Sequence, residues 1–432
     1  MLTPRGVRRT AMILGACLAA AVPGGVAGAA PRDFYEVPAA DLVGAPGTVV
    51  EAAPYAPLLS VSNQQGPWPS GANRIMYRTK DAHGDATAAS ATYFDASLPW
   101  TGAGARPLVV LAPGTQGQGD QCAPSKLFAD LVHYTYPLDF AVEYEVLQVH
   151  ALLSRGIDVV VTDYQGLGTA GMHSYVDRRA QGHAVLDAAR AVKALPDSRV
   201  GDDNPIGFWG YSQGGGAAAS AAEMQPSYAP ELNVRGTYAG GPPADLRAVA
   251  AALDGGLAAG LLGYAVNSIY AGYPEARAEI DEALNPAGRQ ALDEIATQCV
   301  PETIARYGLH RTAEWTKDGR SLAELIDALP AVRAVVDEQR IGRSTPGSPV
   351  LIVQGRNDDL IPHAQATQLA ADWCGRGATV DFRTEEIPPI APGFVIGHGL
   401  PMASGLPSAL DWMTDRFNAV PASSACSAVT VR

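Results

Sequence analysis

The stretch that decides the fold is Gly207–Ser220, GFWGYSQGGGAAAS, in which Ser212 lies between Gly210 and Gly214. It follows the apolar run of a predicted buried strand and leads into an alanine-rich segment typical of a helix. A sharp turn from strand to helix strains the residue at its apex and brings backbone segments close together, so the neighbouring residues must be very small. The pattern G-x-S-x-G in this context predicts a nucleophile elbow with Ser212 at its apex.

Short apolar runs elsewhere in the chain indicate further buried strands. These runs lack polar alternation, as expected when helices cover both faces of a parallel sheet, and helical patterns lie between them. They are Leu108–Leu111, Val159–Val161, Ile206–Trp209 and Val350–Val353. Strands that alternate with helices predict an α/β protein with a mostly parallel, doubly wound sheet. Together with the serine turn, they predict the α/β-hydrolase fold.

A long helical interval interrupts this alternation. From Ala244 to about Ile341, apolar residues recur at helical spacing, and strand patterns return only afterwards. We therefore predict a helical cap at residues 244–345, inserted between a first core part at 30–243 and a second at 346–432. The Gly- and Ala-rich part of the cap, Gly255–Gly263, is apolar enough to line a pocket or face a membrane surface. Ordinary helix packing explains the same pattern equally well.

Residues 1–29 have the organisation of a secretory signal peptide. A basic start precedes an apolar run from Ala11 to Val22, and small residues surround an expected cleavage site near Ala29. The apolar run is too short to span a bilayer, so we expect a secreted, soluble protein. The formal net charge of −13 at pH 7 argues against a nucleic-acid partner, because binding phosphates requires a basic face.

The cysteines fit an exported protein. Loss of the signal peptide would leave Cys122, Cys299, Cys374 and Cys426 in an oxidising compartment. Four cysteines allow three disulfide pairings, and the sequence alone does not choose among them. No two of them are close enough in the chain for a zinc site, and no histidine lies at ligand spacing. We expect no metal and no organic cofactor.

An elbow serine needs a base, and the base needs an acid that orients it. In this fold the chain order is serine, then an acid, then histidine. Asp358 and Asp359 follow the predicted strand at Val350, at the sheet edge where catalytic residues collect. Asp358 is the first choice because it lies three residues after Gly355, and Asp359 is the alternative.

The expected base is His398, in a predicted glycine-flanked loop before the last helix. His363 comes too early, at the start of the helix after the acid. The tetrahedral intermediate needs two backbone N–H donors, an oxyanion hole. One is expected from Gln213, the residue after the nucleophile. The other is expected from the loop Gly114–Gly117, with Gln116 as the best single candidate.

Three longer strings identify a family. They are DQCAPS at Asp120–Ser125, TDYQGLGT at Thr162–Thr169 and SYAPELNVRG at Ser227–Gly236. With the elbow and the acid loop, they resemble the secretory lipases typified by Candida antarctica lipase A, and the similarity runs over most of the chain that follows the signal peptide. The resemblance implies a secreted carboxylester hydrolase with a helical cap and the triad Ser212, Asp358 and His398.

The resemblance also implies two disulfides, Cys122–Cys299 and Cys374–Cys426, of which the first would tie the core to the cap. It places the second oxyanion donor at Gln116. The family has an aspartate or a threonine at that position, so this chain departs from the family pattern there.

The sequence favours hydrolysis of esters with medium or long acyl chains, triacylglycerol among them, because the cap contains an apolar segment. The expected partner is a small-molecule or lipid ester, with contact to a lipid–water interface through the cap. An acyltransferase that passes the same acyl group from the serine to an alcohol or sugar is the main alternative. A peptidase and a non-catalytic binding protein are further alternatives.

Overall fold

A nine-stranded sheet forms the centre of the protein, whose computed structural model describes residues 33–60 and 68–427. In chain order the strands are β1 Val49–Pro54, β2 Pro69–Lys80, β3 Ala86–Ala96, β4 Leu108–Ala112, β5 Val132–Thr135, β6 Asp139–Val142, β7 Asp158–Gln165, β8 Ile206–Tyr211, β9 Val234–Gly240, β10 Val350–Gly355 and β11 Val380–Glu385. The order across the sheet is β1-β2-β3-β7-β4-β8-β9-β10-β11, and β5 pairs with β6 in a separate hairpin.

Six of these strands, from β7 to β11 across the sheet, are parallel to one another. The strands β1, β2 and β3 extend the sheet in antiparallel pairs. The four predicted apolar runs lie in β4, β7, β8 and β10, which confirms the expected mostly parallel sheet. The antiparallel strands and β9 were not predicted from the sequence.

The α-helices of the described residues are α1 Pro124–Leu127, α2 Val146–Leu153, α3 Arg178–Ala194, α4 Gln213–Tyr228, α5 Leu246–Leu253, α6 Leu261–Gly272, α7 Pro274–Ala283, α8 Pro286–Ile295, α9 Val300–Tyr307, α10 Leu322–Ala328, α11 Pro330–Glu338, α12 His363–Gly375 and α13 Ile396–Phe417. All of these elements belong to one compact unit, Phe34–Arg432. The predicted signal peptide, residues 1–29, lies outside the described residues.

Both faces of the sheet are covered by helices. On strand β8, Phe208 packs into a core with Ala184 of α3 and Ala217 of α4. The next residue, Trp209, points to the other face and packs with Leu152 of α2 and Trp412 of α13. Successive side chains on a strand alternate between faces, so a strand covered on both sides is apolar at every position.

Helices α5 to α11 lie between β9 and β10 in the chain, where the sequence predicts the cap. They have a hydrophobic core of their own, which includes Tyr264, Ile295 and Trp315. The cap boundaries at residues 244 and 345 remain a prediction, and we call α5 to α11 the helical insertion.

Two disulfides are present, Cys122–Cys299 and Cys374–Cys426, in the pairing that the resemblance implies. Cys122 lies in the segment after β4 and Cys299 immediately precedes α9, so the first bond joins the core to the helical insertion. The backbone joins them as well, because the N–H of Val300 donates to the carbonyl of Gln116 at 3.0 Å.

Apolar side chains are exposed on the β5–β6 hairpin, where Tyr136 at the tip is 85% exposed. Tyr134 and Phe140 on its strands are exposed too. Within the described ranges, no helix has both the length and the apolar character needed to cross a bilayer.

Candidate active site

Ser212 lies at the turn between β8 and α4, as the sequence predicts. Its φ of 59° and ψ of −124° belong to a region that residues with a side chain rarely adopt. The N–H of Ser212 donates to the carbonyl of Gly240 at 2.8 Å, which fixes the turn against the end of β9. The strained backbone is held by this contact and by the strand and helix on either side.

The glycines around Ser212 are required by close backbone contacts. A Cβ on Gly210 would lie 2.1 Å from the carbonyl oxygen of Gly214, and one on Gly214 would lie 2.0 Å from the carbonyl oxygen of Ala112. A Cβ on Gly215 would lie 2.2 Å from the oxygen of Gly240. Larger residues at these positions would push β4, β8, β9 and α4 apart.

The imidazole of His398 is paired with Asp358. Its Nδ1 lies 2.8 Å from Oδ2 of Asp358, and both side chains are buried. Because the carboxylate accepts, Nδ1 carries the proton and Nε2 is left as an acceptor. Nε2 is buried and has no hydrogen-bond partner among the described residues. It is therefore available to a serine hydroxyl or a substrate.

His398 lies next to the serine turn. The hydroxyl of Tyr211, the residue before Ser212, donates to the carbonyl of His398 at 2.7 Å. A Cβ on Gly241 would lie 3.2 Å from Cε1 of His398, while the preceding residue, Gly240, binds the N–H of Ser212. Ser212 and His398 thus border the same two-residue segment at the end of β9.

Asp358 is fixed by donors on all sides. Its Oδ1 accepts from the N–H groups of Leu360 and Ile361 at 2.9 and 2.8 Å, and its Oδ2 accepts from Nε2 of Gln354 at 2.9 Å. These bonds orient the carboxylate towards Nδ1 of His398.

Asp359, the alternative acid, binds the same histidine through its backbone. Its Oδ1 accepts from the N–H of His398 at 3.1 Å. Its Oδ2 accepts from the N–H groups of Gly393 and Val395 at 3.0 and 2.8 Å. Asp359 therefore holds the chain that carries His398, whereas Asp358 holds the imidazole ring.

The predicted glycine-flanked loop at His398 is wrong, because His398 lies in the first turn of helix α13, Ile396–Phe417. The carboxylate of Asp359 accepts the N–H groups of Val395 and His398 at this helix start, where N–H groups have no partner within the helix. His363 is the first residue of α12, as predicted, and its Nε2 contacts the hydroxyl of Thr384 at 2.9 Å.

Gln213 is the first residue of α4, and its side chain is held by a buried histidine. Nδ1 of His173 lies 3.2 Å from the carbonyl of Gln165, and Nε2 of His173 lies 3.0 Å from Nε2 of Gln213. Nδ1 must carry the proton that the carbonyl accepts, so Nε2 accepts from the amide. Burial lowers the pKa of His173 to about 4, which keeps the ring neutral.

Residues 113–117, after β4, contain the predicted oxyanion loop, and we call them the candidate oxyanion segment. This segment differs from the prediction in one respect. The N–H of Gly114 already donates to the buried carboxylate of Glu145 at 2.7 Å, so Gly114 is not a free donor. Gln116 is buried, and its carbonyl accepts from Val300 in the helical insertion. Thr115, between them, lines the same cavity as Ser212 and Gln213.

An apolar cavity of about 1090 Å³, part of it open to solvent, extends from Ser212 into the helical insertion. Helices α5, α6, α7, α10 and α11 contribute leucine, isoleucine, valine and alanine side chains to its wall. The polar lining side chains are Thr115, Tyr175, Ser212 and Gln213, and none of the lining residues is charged. Leu261 and Leu262 belong to the segment predicted to line a pocket.

Several residues of this site carried no signal in the sequence. They are Glu145, His173 and Tyr175, each of which lies outside the elbow, the acid loop and the predicted loop Gly114–Gly117. The hydroxyl of Thr115 is 2.9 Å from that of Tyr175, so the two side chains are held together at the cavity wall. Such contacts join positions far apart in the chain, and no local pattern marks them.

Known proteins resemble this chain over most of its length. A profile of the secretory lipase family matches residues 135–425. A protein of Mycobacterium tuberculosis, named as the probable inactive lipase MT1628, is 30% identical over 82% of this chain and 75% of its own. The secreted triacylglycerol lipase LIP3 of Malassezia restricta is 30% identical over 81% of this chain and 72% of its own.

A solved structure agrees in fold. The crystal structure of Candida antarctica lipase A in its closed state matches with a TM-score of 0.76 at 22% identity, over 91% of this chain and 87% of that one. At this identity the match establishes the fold, which is the α/β-hydrolase fold that the sequence predicts.

Proposed function

Because the chain belongs to the secretory lipase family, we propose that it hydrolyses esters with medium or long acyl chains through an acyl-serine intermediate. Membership makes it a carboxylic ester hydrolase of the lipase type. One observation carries the finer proposal. Ser212 opens on an uncharged, apolar cavity, and the Asp358–His398 pair lies beside the same turn.

One relative is named as a probable inactive lipase, so the proposed activity of this protein rests on its own residues. The strained serine, a histidine with a free Nε2 and a buried carboxylate on Nδ1 are the parts of a Ser-His-Asp triad. The acyl chain would lie along the cavity, where burying each CH₂ group contributes about 0.8 kcal/mol.

In the proposed reaction, Nε2 of His398 takes the proton of the Ser212 hydroxyl while Oγ attacks the ester carbonyl carbon. The backbone N–H groups of Gln213 and of the candidate oxyanion segment donate to the resulting oxyanion. The sequence favours Gln116 in that segment, and the cavity wall favours Thr115. His398 then protonates the leaving alcohol, and water attacks the acyl-serine by the same steps in reverse.

A second part of the proposal concerns the lipid surface. Leu309, Ile390 and Phe394 are exposed apolar side chains, and Phe394 is 50% exposed. Their segments are joined, since Leu309 donates to Gly256 at 2.9 Å and Leu257 donates to Gly393 at 2.8 Å. Gly393 is in turn bound by Asp359, next to His398. We call Leu309, Ile390 and Phe394 the apolar rim and propose that it meets the lipid–water interface.

The relatives support secretion, because they include secreted lipases. The two disulfides also suit an oxidising compartment. We propose that residues 1–29 direct export. Sequencing the amino terminus of the exported protein should find a start near Ala30, and an uncleaved start would contradict the signal peptide.

Turnover of p-nitrophenyl esters from acetate to palmitate tests the main proposal. We expect kcat/KM to rise with chain length, and Ser212→Ala to lower kcat by up to about 10⁶-fold while the protein stays folded. Ser220→Ala is the matched control, because its hydroxyl donates to the carbonyl of Gly216 within α4 and lies away from the cavity wall. Wild-type turnover by Ser212→Ala would exclude the nucleophile, and acyl transfer to an added alcohol in place of water would favour the transferase.

Emulsified triacylglycerol tests the apolar rim. Phe394→Ser should slow hydrolysis of the emulsion and leave hydrolysis of dissolved short esters unchanged. Tyr136→Ser, at the tip of the β5–β6 hairpin, removes an exposed aromatic ring outside the apolar rim. Equal losses on the emulsion from the two variants would show that exposure alone, and not the apolar rim, governs the interface.

A further inference from the structure

A buried carboxylate contacts the candidate oxyanion segment and has no part in the triad. Oε1 of Glu145 accepts the N–H of Gly114 at 2.7 Å, and the side chain is fully buried at the start of α2. A Cβ on Gly114 would lie 2.6 Å from the hydroxyl of Tyr144 and 3.3 Å from the carbonyl of Tyr211. Gly114 is therefore packed between Glu145 and the residue that precedes Ser212.

We propose that Glu145 is a positioning residue that aims the backbone N–H of Thr115 or Gln116 at the oxyanion formed on Ser212. This rests on the proposed ester hydrolysis.

Three consecutive residues of the segment are each held by one polar side chain. The hydroxyl of Tyr164 donates to the carbonyl of Pro113 at 2.8 Å, and that of Tyr144 donates to the carbonyl of Thr115 at 3.0 Å. Glu145 accepts from Gly114 between them. The peptide plane from Pro113 to Gly114 is thus held at both its oxygen and its nitrogen. The following planes, which carry the N–H groups of Thr115 and Gln116, are set by these anchors.

The hydrogen-bond polarity around Glu145 is fixed by groups that can only donate. Nε1 of Trp209 donates to Oε1 of Gln148, because an indole N–H has no acceptor role. Gln148 therefore presents its amide N–H₂ to Oε2 of Glu145. The backbone N–H of Gly114 faces Oε1. Both carboxylate oxygens of Glu145 therefore act as acceptors in these two bonds.

The surroundings of Glu145 disfavour its charge. The titratable groups that face Glu145 are Glu143, Tyr144, Tyr164 and Tyr238, none of which is basic. The N–H of Glu145 itself donates to Oε1 of Glu143 at 3.0 Å. Burial raises the pKa of Glu145 to about 7. A buried carboxylate without a cation is costly, and the bonds to Gly114 and Gln148 are what holds it in the ionised form.

The test is a charge swap that keeps every hydrogen bond. Glu145→Gln sets its amide N–H₂ against that of Gln148, so the bond to Gly114 weakens. In Glu145→Gln/Gln148→Glu, the glutamine accepts from Gly114 and donates to the new carboxylate, which accepts from Trp209. Glu143→Gln is the matched control, because Glu143 is a buried neighbour that does not contact the candidate oxyanion segment.

With a dissolved short p-nitrophenyl ester, we expect Glu145→Gln to lower kcat at least about tenfold with KM within about twofold. The double variant should return kcat to within about threefold of wild type, and Glu143→Gln should stay within the same limit. Wild-type kcat in Glu145→Gln, or a folded double variant as slow as the single one, would overturn the positioning role. Should Glu145→Gln not fold, Glu145→Asp replaces it: the shorter side chain withdraws from Gly114 and must lower kcat in the same way.

Labelling of Ser212 by a fluorophosphonate separates this inference from the proposed function. The phosphonyl oxygen occupies the oxyanion hole, so the labelling rate should fall in Glu145→Gln together with kcat. A wild-type protein that neither cleaves esters nor labels at Ser212 would end the proposed function. An active wild type with an equally active Glu145→Gln would end only the inference.

Discussion

Oδ2 of Asp358 lies 2.8 Å from Nδ1 of His398, and Asp359 accepts the backbone N–H of the same histidine. The two adjacent carboxylates therefore hold different parts of His398. Asp358 fixes the tautomer and the orientation of the imidazole, and Asp359 fixes the helix start from which the imidazole projects. Sequence alone left both as candidates for the acid.

Separate replacement of the two aspartates should distinguish these roles. Asp358→Asn presents an amide to Nδ1 and favours the wrong tautomer, so kcat should fall about 10⁴-fold with little change in stability. Asp359→Asn weakens the bonds to Gly393, Val395 and His398, so kcat should fall about tenfold and the thermal midpoint should drop. Ester turnover and thermal unfolding measure both effects, and equal losses of kcat would refute the assignment of Asp358.

The elbow glycines give a prediction about stability. Gly214→Ala places a Cβ 2.0 Å from the carbonyl oxygen of Ala112. The free energy of unfolding should therefore be lower than that of wild type by at least about 3 kcal/mol. Gly272→Ala, at the end of α6, meets nothing within 4 Å and should change the free energy of unfolding by less than about 1 kcal/mol. Urea unfolding gives both values. A Gly214→Ala protein of wild-type stability would contradict the close contact at the elbow.

The disulfide between core and insertion should stabilise more than the one near the carboxyl terminus. The Cys122–Cys299 bond spans 177 residues and the Cys374–Cys426 bond spans 52. In the chain-entropy model they contribute about 5 and about 4 kcal/mol. Replacing each pair by serines and measuring thermal unfolding should show the larger loss for Cys122 and Cys299. The reverse order would show that chain entropy does not govern these bonds.

His173 makes stability depend on pH. Folding lowers its pKa from about 6.5 to about 4, so the unfolded chain binds a proton in that window that the folded protein does not. Stability is therefore present above pH 6.5 and falls as the pH drops towards 4, by up to about 3 kcal/mol for this group.

Comparison with His173→Gln isolates this effect, because groups of opposite sign, such as Glu145, are present in both proteins. The advantage of wild type over His173→Gln in urea unfolding should shrink as the pH falls from 7 to 5. A constant difference between wild type and His173→Gln would exclude a neutral, buried His173.

The fold could be predicted from the sequence, and the candidate triad proposed from it, because their signals are local. The glycines adjacent to Ser212 indicate the elbow, and continuous apolar runs indicate the buried strands. The first turn of α13 was missed for a physical reason. Its sequence, IGHGLPM, holds two glycines and Pro401, which disfavour a helix, and the N–H groups at its start are bound by Asp359, far away in the chain.

The support of the oxyanion segment was beyond the sequence as well. Gly114 and Glu145 are brought together only when α2 packs against the sheet beside β4 and β8. Gln116 was favoured because of its position in the sequence of the predicted loop. Which residues line a cavity depends instead on the direction of each side chain in the folded protein. The structure brings Thr115 to that wall.

The bond between Cys122 and Cys299, with Val300 hydrogen-bonded to Gln116, joins the helical insertion to the candidate oxyanion segment. Grafting the helical insertion of a relative onto this chain would change the wall of the acyl-chain cavity. It would also replace Cys299 and Val300, which contact the candidate oxyanion segment and its neighbour Cys122. Substrate choice and turnover are therefore expected to change together in such chimeras. Exchanges that keep Cys299 and Val300, such as those that begin after α9, leave this contact intact.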